Sequence, residues 1–339
     1  MTTAREAASA ARAVSFSVDP WDPSYGQAVE DGAAMTESTA ELNLDLERPS
    51  ASWAPVDPDL TAPLPGTVLI LDGVRRIDAR VWVHGGGPQP AAGIAASLAA
   101  GVVRCTSPGG RPSGTPRSDG VATLTDVAVE RGLFTAAPRA ADIATRFAVY
   151  HARAAAGPGP EQLSLALQQR LSDAEVRLAT AVRARHADED DLLVVDGPLR
   201  GRTHLDRTVG YVKTHHASYL PDRQAAVVAE LVPGQRTPAF TMGTSWRRHS
   251  WYLRLPGSAP VPWSGIVRLE CSADWPAAAV TAVADLTARL LPPLASAPHK
   301  DPRAPQNLVP IGGLERELRR RLGDQQLLYR SLRAAAMGG

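Results

Sequence analysis

The 339-residue sequence contains only two cysteines, Cys105 and Cys271, and its aromatic residues make up only 5% of the chain. Two cysteines cannot form a cysteine-rich zinc site, and a structural disulfide is not expected in a reducing compartment. No run of about eighteen apolar residues is present, which predicts that the chain has no transmembrane helix. Residues 1–14 contain no compact apolar core before a cleavage site. We therefore expect no signal peptide, no membrane contact and a cytoplasmic location.

The sequence also lacks an excess of charge of one sign. The net charge is +1, so there is no global attraction toward nucleic acid, and any such contact would need a local basic channel. The only lysines are Lys213 and Lys300, because arginine supplies nearly all of the positive charge. The apolar content of 44% is ordinary for a globular protein. We expect an irregular N-terminal arm over residues 1–60 and one domain over residues 61–339.

The order of the predicted elements favours an α/β fold with a mixed central sheet flanked by helices. Residues 66–85 resemble a hairpin with strands on either side of a turn at 74–77, and residues 138–154 resemble a helix. The other predicted strands are 92–103, 121–129, 192–196, 208–213, 238–243, 249–255 and 265–271. The other predicted helices are 160–186, 221–231, 277–291, 314–322 and 325–335. An Asp-bearing strand followed by an antiparallel hairpin is how ribonuclease H-like folds begin, which is an analogy of fold only.

Two apolar stretches run into an Asp-Gly pair: Val-Leu-Ile-Leu-Asp72-Gly73 and Leu-Leu-Val-Val-Asp196-Gly197. A carboxylate at the end of a buried strand is costly unless it is paired or holds a metal. Two such strand ends predict one site for Mg²⁺ or Mn²⁺ built from both aspartates. The alternative is that each Asp-Gly pair forms an ordinary turn.

Two further residues are candidates for the same site. Glu175 follows Leu171 by four residues and precedes Leu178 by three, so it borders the apolar stripe of the predicted helix and can face the rim of the sheet. Lys213 ends the strand Val-Gly-Tyr-Val-Lys and could contact a scissile phosphate. The alternative to a role in the site is that Glu175 and Lys213 are ordinary solvent-exposed residues without a function.

Several arginines are candidates for contacts to a phosphate backbone. Arg200 and Arg202 closely follow Asp196, and Arg254 lies in a later predicted strand. Four more lie on the last helices, where a solvated helix face is the favoured interpretation: Arg316, Arg319, Arg320 and Arg321.

Taken in order over roughly residues 66–325, these motifs resemble the NurA nucleases. The segments that carry the resemblance are Leu-Ile-Leu-Asp72-Gly, the helical Glu175, Val-Val-Asp196-Gly-Pro-Leu, Gly-Tyr-Val-Lys213 and a Pro-rich stretch before a final helix. The resemblance implies a ribonuclease H-like enzyme that depends on manganese or magnesium. It also implies a homodimer that acts on DNA ends in double-strand break repair with a HerA-like hexameric ATPase.

The resemblance also implies roles for individual residues. Asp72, Glu175 and Asp196 match the metal carboxylates, and Lys213 matches a basic residue that contacts phosphate. This set predicts a two-metal phosphodiesterase in which Asp72 bridges the ions.

The sequence departs from the family pattern near its end. Gly312 stands where the family usually has a metal-site histidine, and His299 is the candidate to replace it. A catalytically weak scaffold that caps a DNA-translocating ATPase is therefore the alternative function. A sugar-kinase-like phosphotransferase is disfavoured because the chain has no convincing Gly-rich phosphate loop.

Overall fold

The computed structural model describes residues 36–38, 40–84, 89–106, 121–186, 190–215, 217–257 and 263–337. Its strands are β1 (Thr36–Glu37), β2 (Glu41–Asn43), β3 (Thr67–Val83), β4 (Ala91–Thr106), β5 (Val121–Thr135), β6 (Ile143–Ala144), β7 (Val149–Ala154), β8 (Asp191–Asp196), β9 (Thr208–Val212), β10 (Ala217–Ser218), β11 (Phe240–Gly243), β12 (Arg247–Arg254) and β13 (Ile266–Ser272). Its α-helices are α1 (Pro160–Arg185), α2 (Asp222–Glu230), α3 (Ala277–Leu290), α4 (Val309–Arg321) and α5 (Gln325–Met337).

Most of these strands form one large mixed sheet. Its order is β2-β11-β12-β13-β9-β8-β3-β4-β5-β7-β6, with β3, β8 and β9 parallel at its centre and antiparallel strands on both sides. Helices cover both faces, so the predicted α/β architecture with a mixed sheet is confirmed. Strands buried on both faces are expected to be continuously apolar, which accounts for the stretches 68–71 and 192–195.

The two faces of the sheet have separate cores. Val68, Ile70 and Val194 point to the face covered by α3 and α4. Leu69 and Leu71 point to the opposite face, which α1 covers through residues such as Val182. Because successive side chains of a strand point to opposite faces, the position of each functional residue along its strand determines the face on which its side chain lies.

The predicted hairpin over residues 66–85 is wrong. Residues 67–83 form a single strand, β3, which pairs with β4 along its whole length and has one irregularity between Ile77 and Ala79. Asp72 therefore lies within a long strand instead of ending one. It still lies beside the end of a strand, because the parallel pairing of β8 with β3 stops at Leu71 and Val195.

The predicted helix over residues 138–154 is also wrong. This segment contains the short strands β6 and β7, and β7 pairs in parallel with the end of β5. Alanine and arginine are among the strongest helix formers, but intrinsic propensity is small in energy, and pairing with an available sheet edge overrides it here. The remaining predicted strands and helices are confirmed, with differences mainly at their ends.

The described part of the expected N-terminal arm packs against the sheet. Strand β2 pairs with β11 at the sheet edge, and Trp53 lies in an apolar cluster with residues of α2, β11 and β12. Glu47 forms a buried ion pair at 2.8 Å with Arg236, whose guanidinium also lies 2.7 Å from Asp285 of α3. Residues 1–35 of the arm lie outside the described residues.

One segment, Ala277–Leu294, is long and apolar enough to cross a membrane by length and composition, with a mean hydropathy of 1.2. It contains α3, whose residues Val280, Ala284 and Ala288 are buried against the sheet. Packing against the core accounts for this composition.

Both cysteines are free thiols, and we predict that neither reacts readily in the native protein. Burial raises the pKa of Cys105 to about 11 and raises that of Cys271 still further. Because the thiolate is the reactive form, alkylation of Cys105 at about pH 8 should be at least ~100-fold slower than that of an ordinary thiol. Mass spectrometry after iodoacetamide treatment, with and without denaturant, measures this rate. Equal labelling under both conditions would contradict the prediction.

Candidate metal centre

Asp72 and Asp196 come together because they occupy corresponding positions on two adjacent parallel strands. Leu71 is paired with Val195, so each aspartate lies one residue beyond a paired position. Asp72 follows Ile70 by two residues, and Asp196 follows Val194 by two residues. Residues two apart in a strand point to the same face, so both aspartates point toward the face covered by α3 and α4. The expected convergence of the two Asp-Gly motifs is therefore present in the structure.

Helix α4 brings a third carboxylate, Glu315, to this position. The helix approaches the sheet closely at Gly101, which is paired with Asp72 on strand β4. A Cβ atom at Gly101 would lie 2.8 Å from Leu318 Cδ2 and 3.1 Å from Leu314 Cδ1, so only glycine permits this contact. The close packing of α4 on Gly101 places Glu315 beside the two aspartates.

Oxygen atoms of Asp72, Asp196 and Glu315 lie within 4.8 Å of one another, and no other such cluster of His, Cys, Asp or Glu is found among the described residues. Asp72 is only 7% exposed. Its Oδ1 accepts the Gly73 N–H at 2.7 Å, whereas its Oδ2 is buried without a hydrogen-bond partner. Burial and the adjacent carboxylate of Asp196 raise the pKa of Asp72 well above its usual range.

The charges around this cluster favour a cation. Four carboxylates lie here, counting Asp301, and among the described residues the largely buried cations that pair with them are Lys213 and Arg303. Arg319 reaches Glu315 from the solvent side, with its side chain 54% exposed. Even with Arg319 included, four ionised carboxylates outnumber these three described cations by one. Without a metal, the raised pKa of Asp72 favours its neutral form and so relieves this excess. Carboxylate oxygens are the ligands that hard divalent cations prefer, so Asp72, Asp196 and Glu315 can hold a metal.

Lys213 lies in this centre as a partner of carboxylate and amide groups. Its Nζ donates to Asp196 Oδ2 at 2.6 Å and to Asn307 Oδ1 at 2.9 Å. The amide nitrogen of Asn307 donates in turn to Asp301 Oδ2 at 2.6 Å. The predicted basic residue is thus beside the three-carboxylate cluster, and its charge is paired with Asp196.

Glu175 lies on α1, on the opposite face of the sheet from Asp72. Gly73 makes room for it, because a Cβ atom there would collide with Glu175 Oε1 and lie 2.8 Å from Leu171 Cδ1. Glu175 is paired with Arg202 at 2.7 Å. Burial raises the pKa of Glu175 to about 7 against the opposing effect of Arg202, and the charge of Asp196 raises it further. Glu175 is thus close enough for the charge of Asp196 to affect it, but it is not part of the three-carboxylate cluster.

The three arginines expected to contact DNA occupy different environments. Arg202 is 3% exposed, and its guanidinium contacts Glu175 and the backbone oxygen of Pro198. Arg200 is exposed on the loop that follows Asp196. Arg254 is half-buried at the C-terminal end of β12, where it donates to the backbone oxygen of Ser264 at 2.8 Å. Of the three, Arg200 is the one whose side chain is exposed to solvent.

The position of the missing histidine is filled by other groups. Gly312 is buried in the first turn of α4, and a Cβ atom there would lie 2.9 Å from Asp301 Oδ2 and 3.5 Å from Asn307 Nδ2. His299, the candidate replacement, is exposed. The acidic residue that joins the two aspartates is Glu315, three residues after Gly312 and therefore on the same side of the helix.

The sequence analysis missed Glu315, although a signal was present. Glu315 follows Ile311 by four residues and precedes Leu318 by three, which is the same relation to an apolar stripe that identified Glu175. The dense arginines of this helix favoured a solvated face and concealed the pattern. Arg319 of this helix and Arg303, which precedes the helix, both contact Glu315, so these basic residues pair with the carboxylate.

The contrast between Gly312 and Gly313 gives a test of this packing. Replacing a helical glycine by alanine normally stabilises a protein by about 0.5–1 kcal/mol. Gly313→Ala should show this gain, because only Arg316 Nη2, at 4.0 Å, lies near the added Cβ. Gly312→Ala should instead be neutral or destabilising, since it displaces Asp301. Chemical denaturation of both variants measures the difference, and equal gains would disprove the close contact at Gly312.

Comparison with known proteins supports the family resemblance. Residues 159–311 match the family model described as the NurA domain. No curated protein matches the chain. The matched range includes Glu175, Asp196, Lys213 and Asn307, whereas Asp72 and Glu315 lie outside it. The sequence pattern and the structure both assign Asp72 to the centre, and the structure alone assigns Glu315. The match confirms the predicted resemblance: the chain carries a NurA domain.

Proposed function

We propose that this protein is a divalent-metal-dependent DNA nuclease that processes DNA ends in double-strand break repair with a HerA-like ATPase. The observation that carries the proposal is the cluster of Asp72, Asp196 and Glu315 with its excess of negative charge. A nuclease-related role follows from the NurA domain. The metal, the DNA substrate, the ATPase and the expected homodimer belong to the proposal.

The donor set fits Mn²⁺ or Mg²⁺ in particular. All three side chains offer oxygen, and the unpartnered Oδ2 of Asp72 supplies a ligand atom that no protein group satisfies. A bound divalent ion would act as a Lewis acid on a phosphodiester and lower the pKa of water. Asp72, Asp196 and Glu315 would hold it, and Glu175, which the charge of Asp196 affects from the other side of the sheet, is the proposed additional carboxylate.

Other residues of the chain have separate proposed roles. Lys213 fixes Asp196 through its 2.6 Å contact and lies close enough to the carboxylates to meet a phosphate oxygen brought to them. Arg200 is exposed on the loop after Asp196 and suits a contact to the DNA backbone. Arg202 is assigned to holding Glu175, which replaces its expected role on DNA, and Arg254 is proposed to contact DNA only at the margin of the site.

Metal binding can be tested without measuring catalysis. At saturating Mn²⁺, about a hundred times Kd, the wild type should gain about 2.7 kcal/mol, or about 4 °C in Tm. Asp72→Asn keeps the Oδ1 acceptor for Gly73 but loses one ligand charge, so it should lose most of this gain. In EDTA the same variant should be more stable than the wild type, because it removes a buried negative charge from an acidic cluster. A thermal shift unaffected by the substitution would place the metal elsewhere.

Nuclease activity should depend on the same residues. We expect linear single- or double-stranded DNA to be cut with Mn²⁺ or Mg²⁺ but not with EDTA, and Asp72→Asn, Asp196→Asn and Glu315→Gln to reduce cutting to the EDTA level. Glu317→Gln is the matched control on α4, because Glu317 pairs with Arg320 and Arg321 away from the centre.

The alternative scaffold function predicts a different result. Wild-type protein that is folded and binds Mn²⁺ but cuts no DNA, even with its ATPase partner, would overturn the nuclease proposal and favour a non-catalytic cap on the ATPase.

A further inference from the structure

Arg303 is the cation that contacts Glu315 most closely. Its Nη2 lies 2.8 Å from Oε1 and 2.7 Å from Oε2 of Glu315, so one nitrogen bridges both carboxylate oxygens. The Glu315 side chain is 7% exposed and that of Arg303 is 15% exposed, so water screens this pair only weakly. The pair is therefore built into the interior beside Asp72 and Asp196.

Arg303 is itself held in place by Asp301. The backbone N–H of Arg303 donates to Asp301 Oδ1 at 2.8 Å, and the Arg303 side chain lies 3.7 Å from the same oxygen. The second oxygen of Asp301 accepts from Asn307, which binds Lys213, which binds Asp196. A continuous chain of contacts thus runs from Asp196 to Glu315 outside the metal carboxylates.

A second arginine contacts the same carboxylate but lacks this support. Arg319 lies 3.1 Å from Glu315 Oε2, one helical turn further along α4, and its side chain is 54% exposed. Without Arg303, the remaining partner of Glu315 would draw the carboxylate toward solvent. The two arginines thus act on Glu315 in opposite directions, one from the interior and one from the surface.

We propose that Arg303 is a positioning residue that holds Glu315 in the orientation needed to bind the metal together with Asp72 and Asp196. This inference rests on the proposed metal-dependent function. The positive charge of Arg303 also repels a nearby cation, which would weaken metal binding. Positioning outweighs this repulsion because a fixed ligand contacts the ion directly, whereas the guanidinium lies beyond Glu315.

The test compares Arg303→Gln with Arg319→Gln as a matched control on the same carboxylate. Partners that orient metal ligands typically change metal affinity by about 10–100-fold, whereas exposed ion pairs contribute little. We expect Arg303→Gln to raise the Kd for Mn²⁺, measured by electron paramagnetic resonance of the free ion, at least about tenfold. Arg319→Gln should change it by less than about threefold. Arg303→Lys should restore part of the affinity, because a single nitrogen makes the contact.

Activity measurements separate positioning from a general loss of structure. For Arg303→Gln, the Mn²⁺ concentration that gives half-maximal cleavage should rise, while the rate at saturating Mn²⁺ should recover most of its wild-type value. The Tm in EDTA identifies any variant that fails to fold, and Arg303→Lys then serves as the informative substitution.

The outcomes distinguish this inference from the proposed function. If the wild type neither binds Mn²⁺ nor cleaves DNA, the proposed function fails and the positioning role with it. If the wild type does both but Arg303→Gln binds Mn²⁺ as tightly as Arg319→Gln, or more tightly than the wild type, only the positioning role is overturned.

Discussion

The burial of negative charge at the end of strand β8 is the constraint on which the centre depends. Asp72 and Asp196 are placed side by side by the register of two parallel strands, and Glu315 is brought to them by a helix. Carboxylates held this close in a protein interior repel one another unless cations compensate them. The chain supplies Lys213 to Asp196 and Arg303 to Glu315, but it leaves one oxygen of Asp72 without a partner. The centre is thus stabilised only in part by the protein itself.

Two glycines of adjacent strands allow helices to pack closely against both faces of the sheet at the centre. Gly73 allows α1 to bring Glu175 close to the sheet, and Gly101 allows α4 to bring Glu315 to the other face. A side chain at either position would push a helix away by collision with leucines that belong to its apolar stripe. Glycine usually weakens a strand, so its presence in the middle of β3 and β4 indicates that close helix packing there outweighs the loss.

The sequence was sufficient to predict the parts of the centre that depend on local pattern. Asp196 ends an apolar strand as expected, and the helix carrying Glu175 was predicted nearly to its ends. The hairpin error arose because the first strand was expected to end at Asp72-Gly73, before a turn at 74–77, whereas Gly73 serves a contact with α1 that is distant in sequence. Glu315 was missed for a related reason: its role depends on Gly101, more than two hundred residues away, and local charge alone favoured a solvated helix.

The absence of a side chain at Gly312 is best understood from the groups around it. Asp301 and Asn307 occupy the space that a larger residue would need, and they connect Lys213 to the segment that carries Arg303. A histidine at 312 would break these contacts unless Asp301 moved. Glu315, one turn later on the same side of α4, reaches the two aspartates without displacing them. The glycine and the glutamate therefore form one consistent arrangement, in which Glu315 supplies a third carboxylate beside the two aspartates and Arg303 balances its charge.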